Sequence, residues 1–525
     1  MPTISEALTL AHEAMHSGDH ARAEQVYRQI LAAAPQQPNA LHGLGILAYQ
    51  AGRFAEAEAH LRRTIAANPN DPSPHNNLNL VLRSLGRPAE AVACCQRALE
   101  LAPQMPELHN NLGIVLKETG AFEPALASFH QAIRLKTDFA DAHYNLANTL
   151  LKLCRLDEAE RTYRRSIELE PRDWQAYNNL GSLLQLQGRF PEARACFDAA
   201  LARQGQSAQV RRNRAMLQLL EGQWAEGWTE YEWRLQMPDV KTPRHPQPRW
   251  QGQPLAKRTI LVCAEQGLGD SIQFIRYAPL VKQAGADRVL FECPPPLHAL
   301  LGRVAGVDRT IASGRGESFD FYIPLLSLPA VFHTTLETIP SGGRYLAADP
   351  GRVFQWRGQI EGVPGFKVGI AWQGNPDVFG DEYRSVPLAQ FEPLARCPGV
   401  KLISLQKGHG AEQLAPLADR LGIVDLGSQL DAGPDAFVDT AAAMVHLDLV
   451  ITTDTAIAHL AGALGVPVWV ALQLAPNWRW LVRRTDSPWY PSMRLFRQSR
   501  LAAWDELFAR MASELRSLSS SPEVR

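Results

Sequence analysis

Two short segments carry residue types from which chemistry can be built. The first, Gln266-Gly267-Leu268-Gly269-Asp270-Ser271, follows an apolar run, and its glycines permit a tight turn with close backbone approach to a ligand. Asp270 falls at or near the start of a helical stretch through Phe274 and Tyr277. It can act at the mouth of a cleft, or simply cap the helix, which needs only a short acceptor. The spacing is not GxGxxG, which argues against a dinucleotide site. The second segment, Thr453-Asp454-Thr455-Ala456, leads into a helix through His459-Leu460-Ala461, and Gly465-Val466-Pro467 opens the next apolar run. A helix N-terminus with free amides and hydroxyls at the end of a parallel strand is a ready phosphate cradle. Thr455 and His459, four apart, share a helix face. Asp454 does not welcome phosphate, so it suits a ribose or sugar hydroxyl or a neighbouring backbone amide. Helix capping competes here too.

Short apolar runs must position these segments. From Arg258 the spacing predicts strands over Thr259–Glu265, Arg288–Cys293 and Phe319–Pro324. A second series covers Lys367–Trp372, Lys401–Gln406, Leu447–Thr453 and Val466–Leu472. The runs are nearly continuous in Val, Ile and Leu and alternate with helical stretches, the pattern of parallel sheets covered on both faces. The expected architecture is α/β: two Rossmann-like halves, residues 258–345 and 365–498, facing across a cleft, with ligands at the carboxyl ends of the strands. A loose Gly- and Pro-rich stretch, Thr334–Pro364, separates them, and residues 499–525 form a C-terminal helix and tail.

In order and spacing, the Gly267-Leu268-Gly269-Asp270 loop, the Thr453-to-Ala461 segment and Gly465-Val466-Pro467 resemble the heptosyltransferase family of GT-B glycosyltransferases over about residues 258–498. The resemblance implies inverting, metal-independent transfer of a sugar from a nucleotide-sugar, with no cofactor. It implies Asp270 as general base, and Asp454, Thr455 and His459 as donor contacts. Arg384, in Arg384-Ser385-Val386-Pro387, stands where the family usually has Lys, and Ala456 where it has Gly. A base must take the acceptor's hydroxyl proton as it attacks the anomeric carbon. Helix N-termini and cations must compensate the leaving diphosphate. Arg384 leads as the phosphate-gripping cation, because guanidinium binds phosphate bidentately. Lys407, after another strand, is second, and Gln373 and Asn375 can bond the base or ribose. Arg384 and Lys407 also have an ordinary reading, as surface cations. Trp478 and Trp480 close over the cleft or fill the core.

The first half is periodic. Gly18, Gly52, Gly86, Gly120, Gly188 and Gly222 recur on a 34-residue spacing, with Cys154 in the same slot. Five residues after each comes Ala23, Ala57, Ala91, Ala125, Ala159, Ala193 or Gly227, and four further on a larger residue such as Tyr27, Phe129 or Tyr163. Glycine in a turn, a small residue where helices touch and an aromatic beyond describe a helical hairpin. The pattern resembles the tetratricopeptide repeat over about residues 4–241, in about seven units. That implies a superhelix with a concave groove for peptide or protein, or a structural spacer. Asn77, Asn111, Asn145, Asn179 and Asn213 repeat at the same spacing and are expected to ladder along the groove, where an amide grips peptide backbone without reading sequence. This resembles the asparagine ladder of O-GlcNAc transferase, whose donor-binding signatures are not recognisable here. Local hydrogen bonding is the competing reason for Asn at this position. Residues 242–257 form a Pro-rich linker with Pro243, Pro246, Pro248 and Pro254, read as stiff and extended. Trp224, Trp228 and Trp233 before it cap the repeat core or contact the next domain.

Charge narrows the classes. With 53 basic and 54 acidic residues, the chain lacks the excess cation needed to displace counterions from nucleic acid. Seven cysteines make no CxxC pair or His/Cys cluster in sequence, so neither disulfide framework nor metal site is expected. The N-terminus lacks a basic, then apolar, leader pattern, and no run of about eighteen apolar residues occurs, so a cytoplasmic location is expected. Two alternatives to a protein-directed glycosyltransferase stay open: a repeat scaffold carrying a catalytically silent α/β domain, and a transferase acting on a glycan or lipopolysaccharide core.

Overall fold

The structure, a computed structural model, describes residues 3–238, 240, 245–340, 343–377 and 380–520. Pro243 and parts of the expected linker and tail (242–244 and 521–525) lie outside the described residues. The chain forms two compact units, Met1–Leu183 and Leu184–Arg525.

The first unit consists of helical hairpins. Their turns are set by left-handed backbone at Gly18, Gly52, Gly86 and Gly120, and Cys154 adopts the same region at φ 57°. Here the periodic slot overrides residue type, since a residue with a Cβ pays for this conformation. Ala23, Ala57, Ala91, Ala125 and Ala159 are fully buried where paired helices meet, and Tyr27, Phe129 and Tyr163 fill the space beyond. A Cβ at Gly43 would overlap the Tyr27 ring at 2.4 Å and one at Gly113 the Phe129 ring at 2.6 Å, so small residues admit the neighbouring aromatic. From Ile4–His16 to Trp224–Tyr231 the described residues hold fourteen such helices.

The second unit begins with the last of these helices and continues into two parallel sheets. Strands β1 (Thr259–Cys263), β2 (Arg288–Glu292), β3 (Arg309–Ile311) and β4 (Phe321–Pro324) form the first, in order β3-β2-β1-β4. Strands β5 (Phe366–Ala371), β6 (Val400–Ser404), β7 (Val424–Asp425), β8 (Leu449–Thr453), β9 (Val468–Leu472) and β10 (Met493–Arg497) form the second, in order β10-β9-β8-β5-β6-β7. All named pairings are parallel. The seven expected strands are present. The three-residue β3, the two-residue β7 and the charged edge strand β10 were not expected, and each is too short or too polar to give an apolar run.

Two further readings need correction. The stretch read as loose contains the helix Pro350–Glu361, capped by Asp349, whose side chain accepts from Arg352 N–H at 3.0 Å. Its face is largely polar and only Trp356 and Ile360 are buried, so the apolar stripe was thin. The linker, read only as a stiff extended connector, is docked on the first sheet at its end. Trp250 is fully buried, and its backbone N–H donates to Tyr322 of β4 at 2.8 Å.

The terminal repeat is built into the α/β region. Trp224 stacks on Trp489 at 5.5 Å and Trp228 meets the edge of Trp478 at 5.1 Å. Trp228 Nε1 donates to the Thr334 carbonyl at 3.0 Å. Arg234, fully buried, donates from Nε and a terminal nitrogen to both oxygens of Glu265 at 3.0 and 2.7 Å. Of the two expectations for these tryptophans, Trp224 and Trp228 satisfy contact with the next domain. Trp233 instead lies under Arg211 at 4.4 Å. Trp478 and Trp480 are buried core residues.

Candidate functional site

In each sheet the chain leaves a central strand in one direction and later returns to its other side: β4 beside β1, β8 beside β5. Crevices open at such switch points, beyond the carboxyl ends of the strands. The loops after β1, β5, β6, β8 and β9 line one cleft of about 1040 Å³. Gly267, Gly269, Asp270, Gln373, Asn375, Arg384, Lys407, Asp454, Thr455 and His459 all contribute to its wall. The ten residues picked from separated stretches of sequence therefore converge, and both carboxylates, Asp270 and Asp454, share the crevice.

Close approach explains the glycines. A Cβ on Gly269 would stand 3.1 Å from His459 Cδ2 and 3.3 Å from Ala456 Cα, so the Asp270 loop seats directly on the start of helix Ala456–Leu464. Asp270 is three residues into its own helix, Leu268–Phe274, and reaches back to accept from Gly267 N–H at 2.8 Å. It thus serves the helix start from inside rather than as the residue preceding it. Its other oxygen pairs with Arg479. Arg479 is buried and also donates to Gln273 Oε1 at 2.7 Å and Asn477 Oδ1 at 2.8 Å, so the carboxylate has a fixed direction.

Opposite, Thr455 is the residue before helix Ala456–Leu464, and its hydroxyl meets Thr452 Oγ1 at 3.1 Å. His459 is buried, stacked on Trp480 at 5.2 Å, with Nδ1 3.0 Å from the Tyr490 hydroxyl. Burial first, then the charges of Arg479, Arg276 and Arg384, push its pKa well below 6.5. His459 is therefore a neutral wall of the cleft and not a phosphate-binding cation. Burial raises the Asp454 carboxyl, with Arg384 opposing.

The cations are pre-positioned. Arg384 Nε donates to buried Asp381 at 2.9 Å and a terminal nitrogen to the Asp454 carbonyl at 3.1 Å. Lys407 Nζ sits on the carbonyls of Leu430, at 2.7 Å, and Asp431. Asn375 Oδ1 accepts from Asp377 N–H at 3.0 Å. Gln373 Oε1 accepts from Gln413 at 3.0 Å. Arg479 was missed: flanked by Trp478 and Trp480 it reads as core, although the loop following the expected strand at 466–472 was a reason to examine it. The 431–437 wall was missed too, and left-handed backbone at Asp431 and Phe437 marks it.

The asparagine ladder in the first unit has its rungs between repeats. Asn111 donates to Asn76 Oδ1 at 2.7 Å, Asn145 to Asn110 Oδ1 at 3.2 Å, and Asn179 to the Tyr144 hydroxyl at 3.0 Å. Asn77 Nδ2 stands 2.7 Å from His42 Nε2. These amides are half-buried, as is Asn213 in the second unit. Asn111 and Asn145 each engage one donor hydrogen, and Asn179 engages both, since it also donates to Asn148 Oδ1 at 2.9 Å, so the local hydrogen-bonding role is real.

Tetratricopeptide repeat models match residues 14–78, 75–105, 115–153, 144–208 and 185–231. The N-terminal region is an array of tetratricopeptide repeats. A curated relative, Protein FlbA of Caulobacter vibrioides, is 31% identical over 325 residues, 57% of this chain and 53% of that protein. The chain thus spans about half the length of the relative it matches. Similar solved structures include a thermophilic TPR protein of Thermus thermophilus, TTC0263 (24% identity, 35% of this chain, 99% of that chain, TM-score 0.31). A tetratricopeptide repeat protein of Parabacteroides merdae is 18% identical (45% of this chain, 93% of that chain, TM-score 0.39). No helix among the described residues is long and apolar enough to cross a membrane.

Proposed function

We propose that the α/β region is a GT-B glycosyltransferase that moves a sugar from a nucleotide-sugar to an acceptor, a protein or peptide recruited by the repeats. The convergence of ten residues from separate strand-end loops on one cleft supports this reading above all else. In it, Asp270 accepts the proton of the attacking hydroxyl. The hydroxyl takes the place of Gly267 N–H on Oδ2 while Arg479 keeps Oδ1 aimed. Arg384, Lys407 and the amides opening helix Ala456–Leu464 take up the charge of the departing diphosphate. Asp454 and Gln373 bond the ribose or sugar. The amide oxygens and second N–H groups of Asn111 and Asn145 hold peptide backbone.

The test is release of free nucleotide from UDP-, GDP- and ADP-sugars by the purified chain. Asp270→Asn is expected to lower turnover by about 10²–10⁴ with donor affinity retained. One observation favours a scaffold with a silent cleft: the Asp270 oxygens, Arg384 and Lys407 already have internal partners. A chain that neither binds nor hydrolyses any of these donors is that scaffold.

A further inference from the structure

Outside the cleft, the fold gathers three side chains that sequence keeps apart. His245 lies near the start of the linker, Cys263 is the last residue of β1, and Glu292 is its register partner at the end of β2. His245 Nε2 is 3.5 Å from Glu292 Oε2 and 3.9 Å from Cys263 Sγ, and the three atoms all lie within 4.8 Å of one another. Glu292 Oε2 is shielded from solvent without a hydrogen-bond donor, an arrangement that costs stability unless a cation or donor meets it. The ring edges of Phe319 and Tyr322 pack against His245 at 5.1 and 5.3 Å. Gly314 closes the site: a Cβ there would stand 2.9 Å from His245 Cε1 and 3.5 Å from Glu292 Oε2.

We propose that His245, Cys263 and Glu292 bind a divalent metal ion of the zinc class. Thiolate, imidazole and carboxylate together are a zinc donor set. Tetrahedral ligands about 2.0–2.3 Å from zinc stand roughly 3.3–3.8 Å from one another, and the two shorter spacings here are close to that range. The side chains of His245 and Glu292 are 11% and 20% exposed, which leaves a side open for water as fourth ligand. On binding, the Cys263 S–H proton passes to solvent as the S–metal bond forms, with no change of oxidation state. The ion fastens the start of the linker to β1 and β2, four residues before Gly267. It takes no part in sugar transfer and stands whether or not that reading does.

The experiment is titration of the full chain, stripped with chelator under reducing conditions, with Co²⁺ and then Zn²⁺. One equivalent of cobalt is expected to give tetrahedral visible bands and a thiolate-to-cobalt charge-transfer band, both erased by zinc. Cys263→Ser is expected to lose the charge-transfer band, His245→Gln to bind at least tenfold more weakly, and Cys154→Ser to behave as wild type. His245→Gln changes the more accessible ligand and decides the matter if Cys263→Ser fails to fold by circular dichroism. Absence of a tetrahedral cobalt spectrum in wild type, or its persistence unchanged in His245→Gln, overturns the proposal.

Discussion

Replacing Arg234 by Met strands Glu265. Their side chains are 0% and 1% exposed, and the guanidinium also donates to Ser327 Oγ at 2.9 Å and Glu232 Oε1 at 2.7 Å. Without Arg234, Glu265 keeps only the Leu326 N–H at 3.0 Å, one neutral donor for a buried charge. Removing one member of a buried pair costs about 3–5 kcal/mol, because the remaining charge is uncompensated. The double variant Arg234→Met/Glu265→Gln removes both charges, and the introduced amide oxygen keeps the Leu326 bond, so it is expected to cost about 2 kcal/mol or less. Urea denaturation followed by tryptophan fluorescence reads this directly, since Trp224, Trp228, Trp478 and Trp489 cluster in the same unit. A single variant costing under about 1 kcal/mol, or a double variant costing the sum of both singles, refutes the uncompensated-charge reasoning.

Gly269→Ala places a methyl against His459 and the Ala456 backbone, so a loss of about 1–3 kcal/mol is expected, with weakened nucleotide binding; calorimetry checks both. Cys154→Gly relieves left-handed backbone in the first unit and is expected to raise stability by about 0.5–1 kcal/mol in urea titrations. His459 is held neutral when folded but takes up a proton when unfolded below 6.5, so its contribution is full above that pH and lost as pH falls. Stability measured between pH 7.5 and 5 is expected to fall less steeply in His459→Gln than in wild type. Asn111→Ala removes the bond to Asn76 and is expected to cost about 0.5–1.5 kcal/mol of repeat stability in the absence of any peptide.

The repeats were legible because Gly, Ala and aromatic residues each answer a local demand that recurs, a turn, a close contact and a gap, and even Cys154 obeys its slot. The strands carrying the cleft loops were legible because burial on both faces forces continuous apolar runs, and the residues that follow such runs sit at carboxyl ends by construction of a parallel sheet. What stayed hidden depends on contacts between distant segments. Arg479 acquires its role only by meeting Asp270, 209 residues earlier. Arg234 acquires its role from Glu265, and His245 from Glu292, partners set by folding and unmarked by any motif. The edge strand β10, Met-Arg-Leu-Phe-Arg, carries an arginine on each face and looks like loop until a neighbour pairs with it.

Nucleotide-sugar binding in the cleft is tested most directly by thermal shift with UDP-, GDP- and ADP-sugars on wild type and Arg384→Ala. At a ligand concentration 100 times the dissociation constant, binding adds about 2.7 kcal/mol. One nucleotide class is expected to raise the melting temperature of wild type and to do so much less for Arg384→Ala. Identical melting with and without every donor, or an equal shift in the variant, contradicts a donor site built on these loops.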